Sequence, residues 1–203
     1  MHRNNSETIK KQKGFGLPEL LIVVFTISII GVMALPRIVL SRRLSQFAEM
    51  QKQVASSLSE ARQEAISQKT PITYRYDNIN KLIFIYNGNF GALGDAGNRV
   101  VYLSGFGLEK SDIVYGHLNG SSGSPLADTS NITALTENSV EIVFQPDGSV
   151  IDGANNPQNK ALFFYYKKIP FDAAFAVSVL GGSGRIKVWG YSKNIKDYVE
   201  KKH

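Results

Sequence analysis

The stretch that decides the fold runs from Lys13 to Pro36 and has the sequence KGFGLPELLIVVFTISIIGVMALP. From Leu17 to Leu35, a run of 19 residues, the only charged residue is Glu19. A helix of that length measures about 28 Å, which is close to the roughly 30 Å hydrocarbon thickness of a bilayer. The sequence therefore predicts a membrane-spanning helix with one carboxylate near its N-terminal end.

The residues before Phe15 form a short basic leader. It holds four basic residues (Arg3, Lys10, Lys11, Lys13) and the acidic residue Glu7, for a net charge of +3. By the positive-inside rule, this N-terminus stays in the cytoplasm and the rest of the chain is exported. The formal charge of the whole chain is +6, so the part after the leader carries only +3. The overall basic balance therefore says little about binding partners.

Two ordinary interpretations compete for the apolar run. A secretory signal would be cleaved after it, and Val32-Met33-Ala34 is an acceptable small-residue site. A plain single-pass anchor would use the same run without cleavage. Neither interpretation explains Glu19, because a carboxylate in an apolar span costs on the order of a few kcal/mol at mid-depth. Such a charge indicates a function and a partner.

The Gly14–Phe15 junction and the following run resemble the prepilin signal of type IV pilins and type II secretion pseudopilins. The resemblance implies that prepilin peptidase cuts after Gly14 and that the new N-terminal residue, Phe15, is methylated. Glu19 is then the fifth residue of the mature chain. Its implied partner is the freed amino group of a neighbouring subunit's first residue.

A second helical segment follows the apolar run. Pro36 lies inside a continuing helical pattern, so we expect it to kink the helix or to melt the turn before it. Residues 37–70 predict an amphipathic helix that Pro71 ends. Its apolar residues recur at three- and four-residue spacings and form one ridge, in which Gln51 is the only polar position. The ridge consists of Leu40, Leu44, Phe47, Val54, Leu58, Ala61 and Ala65.

Residues 71–203 predict a β-rich globular domain. Short strands are separated by turn-forming residues, and residues 116–131 predict an exposed loop because they are rich in Gly, Ser, Asn and Asp. The predicted strands are 73–76, 82–86, 99–103, 112–115, 140–144, 149–151, 161–167, 174–180 and 185–189. The expected fold class is α+β: a long N-terminal helix, apolar in residues 15–36 and amphipathic in residues 37–70, packed on antiparallel sheet.

The sequence contains no recognisable active site. It has no cysteine, and its histidines, His2, His117 and His203, do not have ligand spacing. The glycine-rich residues 181–184 follow a predicted strand, but neither a phosphate-loop lysine nor a helical pattern comes after them. We therefore expect a protein without enzymatic activity, cofactor or metal site.

The last predicted strand offers a candidate binding surface. Strand alternation places Ile186 and Val188 on one face and places Arg185, Lys187 and Trp189 on the other. If the aliphatic pair faces the helix, two cations and an indole line the solvent side, with four further lysines nearby: Lys167, Lys168, Lys193 and Lys196. The alternative is a solvated strand face with Trp189 partly buried.

The 144–148 turn, Phe-Gln-Pro-Asp-Gly, and the 184–188 strand, Gly-Arg-Ile-Lys-Val, resemble the GspH/FimT branch of minor pilins and pseudopilins. Some FimT-like members bind DNA through a Gly-Arg-x-Arg element, where this chain has Lys187 in place of the second arginine. The resemblance implies a bacterial inner-membrane protein with a periplasmic C-terminal domain that enters the tip of a type IV pilus or a type II secretion pseudopilus. Its implied partners are prepilin peptidase, other pilins through the N-terminal helix and, as an alternative function, DNA.

Overall fold

The computed structural model describes most of the chain after the leader. The described residues, apart from the side chains of 33–36, are 16–88, 99–103, 107–118, 125–152 and 154–201. The leader, Gly14 and Phe15 lie outside them. The chain divides into two compact units, Met1–Arg42 and Arg43–His203.

One long helix, α1, spans Leu17–Gln68 and confirms the predicted N-terminal helix. Its helical backbone continues through Pro36, so the turn before this proline is not melted. In the first unit, a stretch of 18 residues of α1 is strongly apolar, and none of it is buried. By length and composition this segment can cross a membrane, a test that a signal sequence also passes.

The polar side chains of the apolar segment have their hydrogen bonds within α1. The hydroxyl of Thr26 donates to the carbonyl oxygen of Ile22 at 2.8 Å, and the hydroxyl of Ser28 donates to that of Val24 at 2.8 Å. A hydroxyl bonded in this way does not have to leave hydrocarbon to find a partner. These two residues are therefore compatible with a lipid environment.

The second half of α1 buries the predicted ridge. Phe47, Val54, Leu58, Ala61 and Ala65 are all at most 4% exposed, and Leu44 packs against the same core. Two details differ from the expected ridge. Leu40 is 43% exposed, and Met50, which the ridge omitted, is completely buried. The helix turns its apolar face inward only from the second unit onward.

The second unit contains two antiparallel sheets. The first has the strand order β3-β2-β1-β5, and the second has the order β4-β6-β7-β8-β9. A short 3-10 helix, Lys110–Asp112, precedes β4. The strands are β1 Ile72–Asp77, β2 Leu82–Asn87, β3 Arg99–Tyr102, β4 Ile113–Tyr115, β5 Ser139–Phe144, β6 Lys160–Tyr166, β7 Ala174–Val179, β8 Ile186–Ser192 and β9 Asp197–Glu200.

Two strand assignments differ from the sequence prediction. Residues 149–151 form only isolated bridges, Val150 to Phe144 and Ile151 to Pro157. The chain instead adds β9, which pairs with β8 through Trp189 and Glu200 among other residues. Its sequence, Asp-Tyr-Val-Glu, is short and flanked by charge, so the alternation signal is weak.

The main core lies between α1 and the inner faces of both sheets. One continuous cluster joins the ridge of α1 to alternating strand residues, which are buried because successive side chains point to opposite faces of a sheet. From the strands it includes Tyr74, Tyr76, Ile83, Ile85, Ile142, Phe144, Leu162, Phe164, Phe175 and Val177. This packing confirms the α+β class.

The outer face of the five-stranded sheet carries a second core. Its buried residues include Phe163, Ala176, Trp189 and Tyr198, together with Leu126 from the connection between β4 and β5. The prediction that residues 116–131 form an exposed loop is wrong for His117, Leu126 and Ser130, which are at most 6% exposed. The described residues of this connection, such as Leu126, pack on the apolar outer face of the sheet and remove it from water.

Candidate functional site

The predicted processing site, Gly14 and Phe15, lies outside the described residues, but the start of the helix is described. Gly16 is the N-cap residue, and the backbone N–H of Leu20 donates to its carbonyl oxygen at 3.2 Å. Pro18 occupies the first turn, where a missing N–H removes no helical hydrogen bond.

Glu19 closes the first turn of α1. The backbone N–H of Gly16 donates to Glu19 Oε2 at 2.9 Å. A glutamate three residues after the N-cap makes this bond in a capping box, and its negative charge is also favoured by the helix dipole. Glu19 is exposed and is the only acidic residue in the first turn. The carboxylate is therefore presented at the helix start, where a second donor can reach it.

Trp189 does not line a solvent-facing surface. The predicted alternation of β8 is correct, since Ile186 packs against the main core, but the opposite face is covered and Trp189 is only 2% exposed. Its indole Nε1–H donates to Ser178 Oγ at 2.9 Å, and the Ser178 hydroxyl donates to Asp128 Oδ2 at 2.5 Å. A ring buried and hydrogen-bonded in this way cannot stack on a base. The predicted stacking role is wrong.

The two cations of the last predicted strand, Lys187 in β8 and Arg185 just before it, have different surroundings. Lys187 lies 3.1 Å from Glu200 Oε2, with its ammonium 5.5 Å from the centre of the Trp189 ring, and its side chain is 17% exposed. Most of its charge is therefore already matched within the sheet. Arg185 is exposed at the start of the strand. DNA binding through this strand stays a prediction, and Arg185 is the residue of the three that is open to solvent.

The two segments that resemble the GspH/FimT branch meet at Arg62 of α1. Arg62 Nε donates to the carbonyl oxygen of Gly148 at 3.3 Å, and Arg62 Nη2 donates to that of Ser183 at 3.0 Å. Gly148 and Gly184 both have positive φ, +82° and +60°. A Cβ on Gly184 would overlap the Gly148 carbonyl oxygen and lie 2.7 Å from Arg62 Nε. The glycines therefore serve close packing of two turns on the helix.

A polar pair also joins the helix to the end of the sheet. Gln51, buried on α1, donates from Nε2 to the carbonyl oxygen of Trp189 at 3.2 Å. Its Oε1 accepts from Lys201 Nζ at 2.9 Å, and partial burial lowers the pKa of Lys201. Gln51, the polar residue within the apolar ridge, thus links α1 to β8 and to the residue after β9 through hydrogen bonds.

A charged network lies beside the 3-10 helix. Lys168 Nζ lies 2.6 Å from Asp112 Oδ2, and the Tyr166 hydroxyl donates to the same oxygen at 3.2 Å. Arg43 in turn donates to the Tyr166 hydroxyl. The hydrogen bond from Lys168 lowers the pKa of Asp112 most, and the bond from Tyr166 adds to it. Lys168 is therefore a structural residue of this network.

His117 is placed by packing. Its ring lies 5.1 Å from that of Phe163 and 5.0 Å from that of Tyr198, measured between centroids, and burial lowers its pKa. Within the described residues, no group of three or more His, Cys, Asp or Glu side chains could hold a metal ion.

Comparison with solved structures finds a similar fold, whereas the sequence comparisons find no match. No protein-family model and no curated protein matches the sequence. The crystal structure of the type IV minor pilin FimU from Pseudomonas aeruginosa strain PAO1 is similar at a TM-score of 0.46, with 14% identity. The similarity covers 76% of this chain and 93% of that chain.

Proposed function

We propose that this chain is a membrane-anchored subunit of a protein filament. Within that class it is a minor pilin or pseudopilin of a type IV pilus or a type II secretion system. The observation that carries the proposal is the first half of α1. Its apolar side chains are exposed, and Glu19 is the only charged residue between Leu17 and Leu35. A helix of this kind needs an apolar environment on every side.

The environment of this helix changes during assembly. In the inner membrane, lipid covers side chains such as Leu21, Ile22 and Phe25, which are more than 60% exposed in the isolated chain. When the subunit leaves the bilayer, the same surface has to be buried against the helices of neighbouring subunits, because exposing it to water costs about 25 cal/mol per Å². The anchor of the precursor becomes the packing surface of the filament.

Glu19 sets the axial position of the subunit. Cleavage after Gly14 creates a charged amino group at Phe15, and the carboxylate of Glu19 in a neighbouring subunit is its partner. The contact between Glu19 and the Gly16 N–H supports this role, because it holds the carboxylate at the helix start as a hydrogen-bond acceptor. Inside an apolar bundle an unpaired carboxylate is strongly destabilising, so subunits that miss this pairing are rejected.

The experiment that tests the proposal is mass spectrometry of the N-terminus of the protein isolated from its own bacterium. We expect a mature chain that begins at N-methylated Phe15. A chain that begins at Met1 would indicate an uncut anchor, and a chain that begins at Leu35 would indicate an ordinary secretory signal. Either of these results contradicts the proposal.

A further inference from the structure

The five-stranded sheet has two of its turns at the end that contacts the start of the second unit. Strands β6, β7, β8 and β9 are consecutive antiparallel neighbours, so the turn between β6 and β7 and the turn between β8 and β9 lie at the same end. At this end Arg43, the first residue of the second unit, donates to the hydroxyl of Tyr166, the last residue of β6. At the opposite end Arg62 donates to the carbonyl oxygen of Ser183, in the turn between β7 and β8.

The Arg43 end is the end that the chain itself ties to the apolar segment. The apolar run ends at Leu35, and α1 continues without a break from Leu17 to Gln68. The helix between Leu35 and Arg43 measures about 12 Å. A surface at the Arg43 end is therefore tethered close to the bilayer in which, on the proposed function, the apolar segment lies. Tethering raises the effective concentration of the two surfaces, so even a weak contact between them is occupied.

Each of the two turns at this end presents an exposed apolar side chain. The turn between β6 and β7 comprises residues 167–173, and Phe171 within it is 56% exposed. The turn between β8 and β9 comprises residues 193–196, and Ile195 within it is 67% exposed. Side chains of this size lose unfavourable contact with water when an apolar phase covers them. Phe171 and Ile195 are called the apolar patch below.

Contacts with the folded sheet hold the apolar patch in place. Lys193 Nζ lies 2.5 Å from Asp172 Oδ1, an ion pair that joins the two turns beside Phe171 and Ile195. The ring centre of Phe171 lies 6.3 Å from that of Tyr191, which packs against the second core. Little conformational freedom is therefore left to lose when the patch meets another surface.

Charge is not what this end of the sheet offers, because its lysines are offset by carboxylates. Lys193 is paired with Asp172, and Lys168 lies 2.6 Å from Asp112 and 3.7 Å from Glu109. An attraction that depended on a positive surface would be weak here. The property that distinguishes this end is its exposed apolar surface, which a neutral apolar phase can cover.

We propose that the apolar patch docks on the surface of the bilayer that anchors the chain. Phe171 and Ile195 enter the boundary between the lipid headgroups and the acyl chains, about 5–10 Å into the membrane surface. The charged ends of Lys193 and Asp172 stay at the level of the headgroups, in contact with water. This inference rests on the proposed function. The contact holds the globular unit on the membrane until the subunit enters the filament.

The test uses the full chain in phosphatidylcholine nanodiscs that hold one chain each. The chain contains no cysteine, so a single introduced cysteine can carry a polarity-sensitive dye. On Asn194→Cys, next to Ile195, the dye should emit at shorter wavelength and be quenched by lipids that carry a spin label. On Ser183→Cys, exposed at the opposite end of the sheet, the same dye should show neither effect.

Substitutions show which side chains make the contact. In the Asn194→Cys chain, Phe171→Ser and Ile195→Ser should each lower the ratio of docked to undocked chains about tenfold, the effect of withdrawing one such side chain from an apolar environment. Tyr102→Ser removes a ring of similar exposure, 57%, from the first sheet and should leave the ratio unchanged. Raising the salt concentration to about 1 M, where the Debye length is about 3 Å, should not reduce the quenching.

A third dye position separates docking from membrane insertion. On Val24→Cys, within the apolar half of α1, the dye reports whether the anchor lies in the bilayer. Quenching by lipid at Val24 but not at Asn194 overturns the docking and leaves the proposed function standing. Absence of quenching at both positions overturns both. A shift at Asn194 that appears only when a disc holds several chains also overturns the docking, because a neighbouring subunit then covers the patch.

Discussion

Gly148 and Gly184 pack so closely that a Cβ on Gly184 would overlap the carbonyl oxygen of Gly148 and lie 2.9 Å from its carbonyl carbon. Each glycine lies in the left-handed region, and each is in a turn that rests on Arg62. The same two turns are joined by the hydrogen bond from the Val150 N–H to the carbonyl oxygen of Gly181, at 2.7 Å. The loops of the two sheets are thereby tied to α1 at one point.

Substituting Gly184 should strongly destabilise the globular unit. Gly184→Ala places a methyl group against the Gly148 backbone and also carries the cost of positive φ, so we expect a loss of at least about 2 kcal/mol in unfolding free energy. Gly182→Ala is the matched control, since its Cβ would have no neighbour closer than 3.7 Å. Urea denaturation checks both variants. Equal midpoints for the two would contradict the observed packing.

Arg62 should stabilise the globular unit through its two hydrogen bonds to carbonyl oxygens. Arg62→Met keeps an unbranched side chain but removes the N–H groups that donate to the carbonyl oxygens of Gly148 and Ser183. We expect a loss of about 1.5–3 kcal/mol, the range for hydrogen bonds that involve a charged group. Lys52→Met, on an exposed position of the same helix, should change stability by less than about 0.5 kcal/mol. Thermal melting of both variants measures the difference.

The fold was predictable from the sequence because its signals are local. The apolar run, the helical spacing of Phe47, Val54 and Leu58, and the alternation within the strands each depend on residues close together in the chain. Burial of the second sheet face was not predictable in this way. It depends on Leu126, which comes from a distant segment of the chain and packs in the same cluster as Trp189. The periodicity of residues within β8 does not predict that packing.

The candidate sites were predicted only in part, for the same reason. The sequence placed Glu19 near the N-terminal end of the predicted helix and placed Lys187 and Trp189 on one face of a strand, and the structure agrees with both positions. Solvent exposure of that face depends on the Asp128–Ser178–Trp189 hydrogen bonds, which join three distant segments.

The buried state of Trp189 can be measured directly, since it is the only tryptophan in the chain. We expect blue-shifted fluorescence that iodide quenches poorly, because the indole is 2% exposed. Ser178→Ala should shift the emission and cost about 1–3 kcal/mol, since it leaves the indole N–H without its acceptor. Strong iodide quenching of the wild-type protein would show that the ring faces solvent.

Burial of His117 should make stability depend on pH. Its folded pKa lies below the ordinary value of about 6.5, so in that range the unfolded chain binds more protons than the folded one. Stability should therefore fall as the pH drops below about 6.5 and level off below the folded pKa. Asp197 opposes this effect because its charge favours the protonated ring.

The measurement for His117 is urea denaturation between pH 5 and pH 8. The aspartates with lowered pKa, such as Asp112 and Asp147, titrate below pH 5. They therefore do not contribute to a change in stability between pH 5 and pH 8. His117→Phe keeps a ring between Phe163 and Tyr198 and should flatten the profile. A variant whose stability still falls from pH 7 to pH 5 by the wild-type amount would assign the effect to another group.

Glu19 should be required for assembly and not for processing. We expect Glu19→Ala to be cleaved normally but to be absent from sheared filaments, because its carboxylate no longer pairs with a neighbour's amino group. Alanine also removes the acceptor for the Gly16 N–H, so this variant alone does not separate loss of the helix cap from loss of the charge pair. Glu19→Gln separates them, since an amide oxygen keeps that hydrogen bond and carries no charge. If charge pairing sets the register, Glu19→Gln fails like Glu19→Ala, while Glu49→Ala, exposed on the same helix, assembles. Wild-type incorporation of Glu19→Gln would reduce Glu19 to a helix cap.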